Sequence, residues 1–173
     1  MRADFSVLCP KLRLMAFDVD GVLTDGRLFF TESGEEIKAF SSLDGHGLKC
    51  LQTAGVELAI ITGRACGATR ARMKGLGIRH LFEGIADKVA AMQTLLNDLS
   101  ISWAEAGYMG DDLPDLPVLQ RVGFAAAPAN AHGRVREAVC YVSQAKGGEG
   151  AAREVCDTIL FYRGQPVAGE HLA

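Results

Sequence analysis

The chain lacks the marks of several large protein classes. No stretch of its 173 residues approaches the roughly 18 consecutive apolar residues of a membrane-crossing helix. Met1 to Pro10 contains no apolar segment of the secretory kind, so no signal peptide is expected. The five cysteines (Cys9, Cys50, Cys66, Cys140, Cys156) are odd in number and form no Cys-x-x-Cys pair. That argues against a disulfide framework and against a thiolate metal site, and fits reduced thiols in a cytoplasmic protein. A net charge of −3 gives no electrostatic pull toward nucleic acid or an anionic membrane. There is no internal repeat and no linker-like stretch, and the 20 glycines are scattered, as tight turns require.

What is present fits one compact domain spanning 1–173, since a hydrophobic fraction of 49% can supply a sizeable core. Apolar runs alternate with helical periodicity. The pattern predicts strands over 12–18, 56–61, near 79–82, 105–109, 122–125 and 139–142. Helices are predicted over 45–54, 65–75, 87–98, 112–121, near 131–137 and over 149–162. Residues 27–31 and 36–41 flank Glu32-Ser33-Gly34-Glu35 and read as a β-hairpin. Strands alternating with helices indicate an α/β fold with a doubly wound parallel sheet. The tail from about 164 to 173 reads as poorly ordered.

The most informative stretch is 14–25, Leu-Met-Ala-Phe-Asp-Val-Asp-Gly-Val-Leu-Thr-Asp. An apolar strand ends at Asp18 and Asp20, at the sheet edge where open α/β folds bind ligands. Two carboxylates there repel each other unless a cation intervenes. The economical reading is a Mg²⁺ site beside an aspartate nucleophile. A second apolar run ends in Thr62-Gly63-Arg64, and a hydroxyl with an open backbone amide can hold phosphate oxygens. Lys88 opens a helical stretch, and Gly110-Asp111-Asp112-Leu113-Pro114-Asp115 follows a third run.

In this order the four pieces resemble the motifs of the haloacid dehalogenase superfamily. The resemblance implies that Asp18 is the nucleophile and forms an aspartyl-phosphate. It implies that Asp20 is the general acid/base and also a metal ligand through its backbone carbonyl. Lys88 neutralises phosphate and nucleophile, Thr62 and Gly63 hold phosphate, and Asp18 and Asp111 hold Mg²⁺. Asp112 is either a ligand through water or a residue behind the ligands; Asp115 is expected to orient neighbours or to cap the next helix. A receiver domain uses similar residue types, but its lysine comes last, whereas Lys88 precedes the second acidic cluster.

The gaps from Asp20 to Thr62 and from Lys88 to Asp111 are too short for a folded cap. Either the substrate is large or exposed, or another subunit closes the site. Leu28, Phe29, Phe30, Ile37 and Phe40 make the hairpin too apolar for a free flap. A capless chain with a hairpin after the first motif resembles the 3-deoxy-D-manno-octulosonate 8-phosphate (KDO 8-phosphate) phosphatases. The match also takes in Asp44-Gly45-His46-Gly47-Leu48, Leu76-Gly77-Ile78, Val122-Gly123 and residues 147–154.

That family implies hydrolysis of KDO 8-phosphate on the way to lipopolysaccharide. It also implies a homotetramer in which hairpins pack together and a C-terminal segment reaches a neighbour's site. Asp44, Gly45, Arg64 and Arg72 are then substrate contacts, because guanidinium forks suit carboxylate and phosphate. For both arginines the alternative is a solvated helix face. Lys49, Glu149 and Ser41-Ser42-Leu43 depart from the commoner family residues. They leave open a phosphatase for a nine-carbon sialic-type keto-sugar phosphate, or a broad small-phosphate phosphatase. A catalytically silent oligomerisation module is the remaining alternative, against which Asp18 and Asp20 are both present.

Overall fold

The computed structural model describes residues 3–165. The tail expected to be poorly ordered lies outside the described residues from 166 onward. Six parallel strands form the sheet, in the order β5-β4-β1-β6-β7-β8. They are β1 (Leu14–Phe17), β4 (Glu57–Ile61), β5 (His80–Phe82), β6 (Ala106–Met109), β7 (Phe124–Ala127) and β8 (Tyr141–Val142). The expected α/β class and doubly wound sheet are therefore borne out.

Period-two alternation splits each central strand between two cores. Met15, Phe17, Leu58 and Ile60 face one cluster; Leu14, Ala16, Ala59 and Ile61 face the other. Helices α2 (Ser42–Thr53), α3 (Gly67–Leu76) and α7 (Ala151–Tyr162) bury Leu48, Leu51, Met73, Val155 and Ile159 against the first face. Helices α4 (Lys88–Leu99), α5 (Leu116–Leu119) and α6 (Gly133–Ala138) bury Met92, Leu95, Val118 and Val135 against the second. Strand β1 is buried at all four positions, and each large apolar side chain so buried is worth ~1.5–3 kcal/mol.

Register is what places the site. Phe17 pairs with Ile60 of β4 on one side and with Met109 of β6 on the other. Asp18 and Thr62, directly past β1 and β4, and Asp111, two residues past β6, therefore emerge on one edge. The sheet order reverses about β1, and that topological switch opens a crevice there.

Three expectations need correction, and one short segment goes beyond them. The predicted helix 112–121 is a 3₁₀ turn, Leu113–Asp115, followed by the four-residue α5; Pro114 and Pro117 favour first-turn positions and interrupt a longer helix. Helix α2 begins three residues earlier than the predicted 45, because the Ser41 hydroxyl accepts from the amides of Leu43 and Asp44. The hairpin pairs only β2 (Phe29–Phe30) with β3 (Glu36–Ile37), less than the predicted strands. A short helix, α1 (Phe5–Leu8), and a 3₁₀ turn, Cys9–Lys11, precede β1; Asp4 caps α1 by accepting from the Ser6 amide.

Candidate active site

Asp18 is the first residue past β1, held there by its amide, which donates to Met109 O at 3.0 Å. Its Oδ1 accepts from the Val19 amide at 2.7 Å. The chain then turns sharply: the amides of Val22, Leu23 and Thr24 all reach Val19 O. Gly21 adopts φ +87°, a left-handed conformation that side chains rarely take. A Cβ on Gly21 would also fall 2.1 Å from Asp111 Oδ2, so the missing side chain lets the two acidic loops approach. Thr24 Oγ1 accepts from the amides of Gly21 and Gly26 and locks the turn.

Lys88 opens α4, whose N-terminus Asp87 caps by accepting from the Ala90 amide at 3.0 Å. Its side chain is buried, and Nζ lies 2.9 Å from Asp18 Oδ2 and 2.7 Å from Asp115 Oδ1. Burial works to lower the lysine's pKa; Asp18 and Asp115 outweigh it and hold the ammonium charged. The carboxylates respond the other way. Burial, then the repulsion of Asp115, pushes Asp18 up to about 6, with Lys88 pulling against both. Burial followed by Asp115 and Asp18 pushes Asp111 up to about 7.

Asp18, Asp111 and Asp115 each bring a carboxylate oxygen within 4.8 Å of the others. Their donor capacity differs. Asp115 Oδ1 is taken by Lys88 and by the Tyr108 hydroxyl at 2.8 Å, and its Oδ2 by the amides of Asp111 and Asp112. Asp115 is thus an organising residue whose lone pairs are largely spent, as expected of a residue that orients its neighbours. Among the described residues nothing donates to the Asp111 carboxylate. Asp18 and Asp111 are the oxygens left for an ion. Hard carboxylate oxygens, crowded and raised in pKa, suit Mg²⁺. Asp112 is exposed and caps the following turn by accepting from the Leu113 amide at 2.8 Å.

A cavity of about 580 Å³ opens over these groups. Asp18, Asp20, Thr62, Gly63, Arg64, Lys88 and Asp111 all line it, with Asp112 and Asp115. Thr62 is buried with its Oγ1 turned to the Arg64 amide at 3.4 Å. Asp44, Gly45 and Arg72 do not line this cavity. Ser41 is the N-cap of α2, and Asp44 and Gly45 lie in its first turn. Asp44 Oδ1 accepts from the Arg153 amide at 2.8 Å and pins the start of α7. Arg72 donates to Ser41 O at 3.0 Å, and a Cβ on Gly45 would fall 2.1 Å from Arg72 Nη2. Asp44 and Arg72 thus make hydrogen bonds within the chain, and Gly45 leaves room for Arg72. Lys49 and Glu149 are exposed and also outside the cavity.

Two site features escaped the sequence reading. Lys38 and Glu36 fold back from the hairpin onto Asp20 and Arg64. Gly147 and Gly148 back the turn after Asp18, with the Gly148 amide donating to Val22 O at 3.0 Å. The Gly-Gly pair was the available signal for the second; nothing in the spacing marked the first.

The chain is similar to known proteins in sequence and fold. Residues 80–155 match the model of the haloacid dehalogenase-like hydrolase family. The chain is 43% identical over 163 residues to the 3-deoxy-D-manno-octulosonate 8-phosphate phosphatase of Escherichia coli strain B, covering 94% of this chain and 87% of that protein. A probable YrbI family phosphatase from Pseudomonas syringae superposes with a TM-score of 0.91 at 50% identity, over 92% of this chain and 91% of the other. The Moraxella catarrhalis 3-deoxy-D-manno-octulosonate 8-phosphate phosphatase, solved with magnesium, phosphate and KDO, superposes with a TM-score of 0.90 at 39% identity, covering 92% of each chain. With this identity over nearly its whole length, the chain belongs to the 3-deoxy-D-manno-octulosonate 8-phosphate phosphatase family of the haloacid dehalogenase superfamily.

Proposed function

We propose that this chain is a Mg²⁺-dependent phosphatase that hydrolyses KDO 8-phosphate to KDO and inorganic phosphate through an aspartyl-phosphate on Asp18. The observation that carries the reading is the Asp18–Lys88–Asp111 cluster at the floor of the cavity, in a family with a member bound to magnesium, phosphate and KDO. Asp18 and Asp111 would hold the Mg²⁺ with the Asp20 carbonyl, and the ion when bound neutralises charge on phosphate and nucleophile.

The residues divide the work as phosphoryl transfer requires, by positioning and charge neutralisation. Thr62, Gly63, Arg64 and Lys88 receive the phosphoryl oxygens. A carboxylate oxygen of Asp18 attacks phosphorus, the bond to the sugar oxygen breaks, and Asp20 gives that oxygen its proton. Asp20 then takes a proton from water, whose oxygen attacks the aspartyl-phosphate and returns Asp18 as carboxylate. Splitting the reaction this way replaces one hard step by two easier ones.

The expected homotetramer belongs to the same reading. Leu28, Phe29, Phe30 and Ile37 are 45–56% exposed on the hairpin, an apolar face that a neighbouring copy would cover. The C-terminal segment expected at a neighbour's site lies outside the described residues from 166 onward. Phe29→Ser combined with Phe30→Ser is expected to give a smaller species by light scattering; an unchanged mass would count against assembly through the hairpin. Five free thiols support a reducing compartment, the cytoplasm. Among the described residues no helix is long and apolar enough to cross a membrane.

A panel of sugar phosphates with Mg²⁺ tests the substrate. KDO 8-phosphate is expected to show the highest kcat/KM. A nine-carbon keto-sugar phosphate at the top would move the assignment to that substrate, and a flat ranking would make the enzyme a broad phosphatase.

A further inference from the structure

Asp20 receives no backbone hydrogen bond to its carboxylate among the described residues, although its role demands exact placement. A general acid works only within about 2.6–3.2 Å of the atom it protonates. Its fixed partner comes from the hairpin. Lys38, just past β3, donates to Asp20 Oδ1. The Lys38 side chain is only 2% exposed, and Nζ is held from a second direction by Glu36 Oε1 at 2.9 Å. Glu36 also accepts from Arg64 Nη2 at 3.3 Å, and Arg64 Nε stands 3.9 Å from Asp20 Oδ2. The turn after β1, strand β3 and the loop after β4 thus meet in one four-residue cluster beside the cavity.

We propose that Lys38 is a positioning residue for proton transfer, fixing the Asp20 carboxyl toward the leaving oxygen, with Glu36 as the anchor that immobilises Lys38. The proposal rests on the reading of Asp20 as general acid. A free ammonium would be a poor positioner, since a lysine stem has several rotatable bonds and its head prefers water. Here the stem is buried and the head has two carboxylates, so its geometry is set before substrate arrives. The hairpin is then part of the reaction machinery as well as an apolar surface. A substrate that pairs with Arg64 draws on the same Glu36 that steadies Lys38.

The test compares two esters with different need for an acid. KDO 8-phosphate leaves as an alkoxide unless protonated; 4-nitrophenyl phosphate leaves as a stable phenolate. Lys38→Met is expected to lower kcat/KM for KDO 8-phosphate by about 10²-fold, within the range of a lost general acid, and for the nitrophenyl ester by less than about fivefold. Lys38→Arg is expected to recover most of the loss. Asp20→Asn provides the benchmark and is expected to show the same leaving-group selectivity. Equal losses on both esters in Lys38→Met, or no loss, would overturn the proposal while leaving Asp20 intact. Uniform loss in Asp20→Asn would overturn the acid assignment and the proposal with it. Should Lys38→Met fail to fold, Glu36→Gln keeps the lysine but removes its anchor; it is expected to show a smaller loss confined to the sugar phosphate, and an unselective loss would overturn the proposal.

Discussion

Lys88 Nζ lies 2.7 Å from Asp115 Oδ1, and both side chains are almost completely buried. The pair is what allows three acids to converge on one point. Asp18, on the other side of Nζ at 2.9 Å, shares the same positive charge. Lys88→Met would leave these carboxylates with no cation among the described residues in contact with them. Breaking a buried pair by removing one partner costs about 3–5 kcal/mol, and loss of one phosphate-neutralising group costs about 10²–10³-fold in kcat. Denaturant titration and KDO 8-phosphate turnover are expected to show both effects. A variant with unchanged stability would contradict this reading of the pair.

Burial and repulsion raise Asp18 to about 6 and Asp111 to about 7. Both native values exceed those of the unfolded chain, so between them the native protein binds more protons. The stability these two groups contribute is therefore present at low pH and is lost as pH rises through about 6 to 7. Magnesium needs both carboxylates charged. The rise in Tm on adding Mg²⁺ is expected to be small near pH 5 and to level off above about pH 7.5. Differential scanning calorimetry with and without Mg²⁺ checks it; a shift independent of pH would contradict the assignment of these two ligands.

Gly147 is buried against the turn that follows Asp18. A Cβ there would fall 1.8 Å from Gly21 O and 2.9 Å from Thr24 O, both backbone atoms that cannot step aside alone. Gly147→Ala is expected to cost about 1–3 kcal/mol by overpacking and to cut kcat by about 10²-fold by displacing the reacting groups. Gly75 is the contrast. It is exposed on α3, and a Cβ there meets nothing within 4 Å. Gly75→Ala is expected to gain about 0.5–1 kcal/mol with turnover unchanged. Equal effects at the two glycines in stability and kcat would contradict the buttress.

The sheet and the acidic edge were legible because buried parallel strands are written as unbroken apolar runs. In this chain those runs stop at Asp18, Thr62 and Gly110. Lys88 was legible because it opens the helical stretch expected over 87–98 and falls between the second and fourth motifs of the family it resembles. The misses share a cause: each depends on a contact distant in sequence. That Gly45 and Gly47 make room within a helix for Arg72 and Arg153 was not legible. Lys38 and Asp20 are 18 residues apart and meet only because the hairpin folds back toward the cavity. Asp115 was legible as a residue that orients its neighbours or caps the next helix; its buried pairing with Lys88, 27 residues away in sequence, was not.

The proposed mechanism puts the phosphoryl group on Asp18. Asp18→Asn keeps the shape of the side chain and removes the nucleophile, so phosphate release from KDO 8-phosphate in Mg²⁺ tests it most directly. The expected result is a loss of at least about 10³-fold in kcat in a variant whose circular dichroism and oligomeric mass match those of the parent protein. Turnover within about tenfold of the parent would contradict the account.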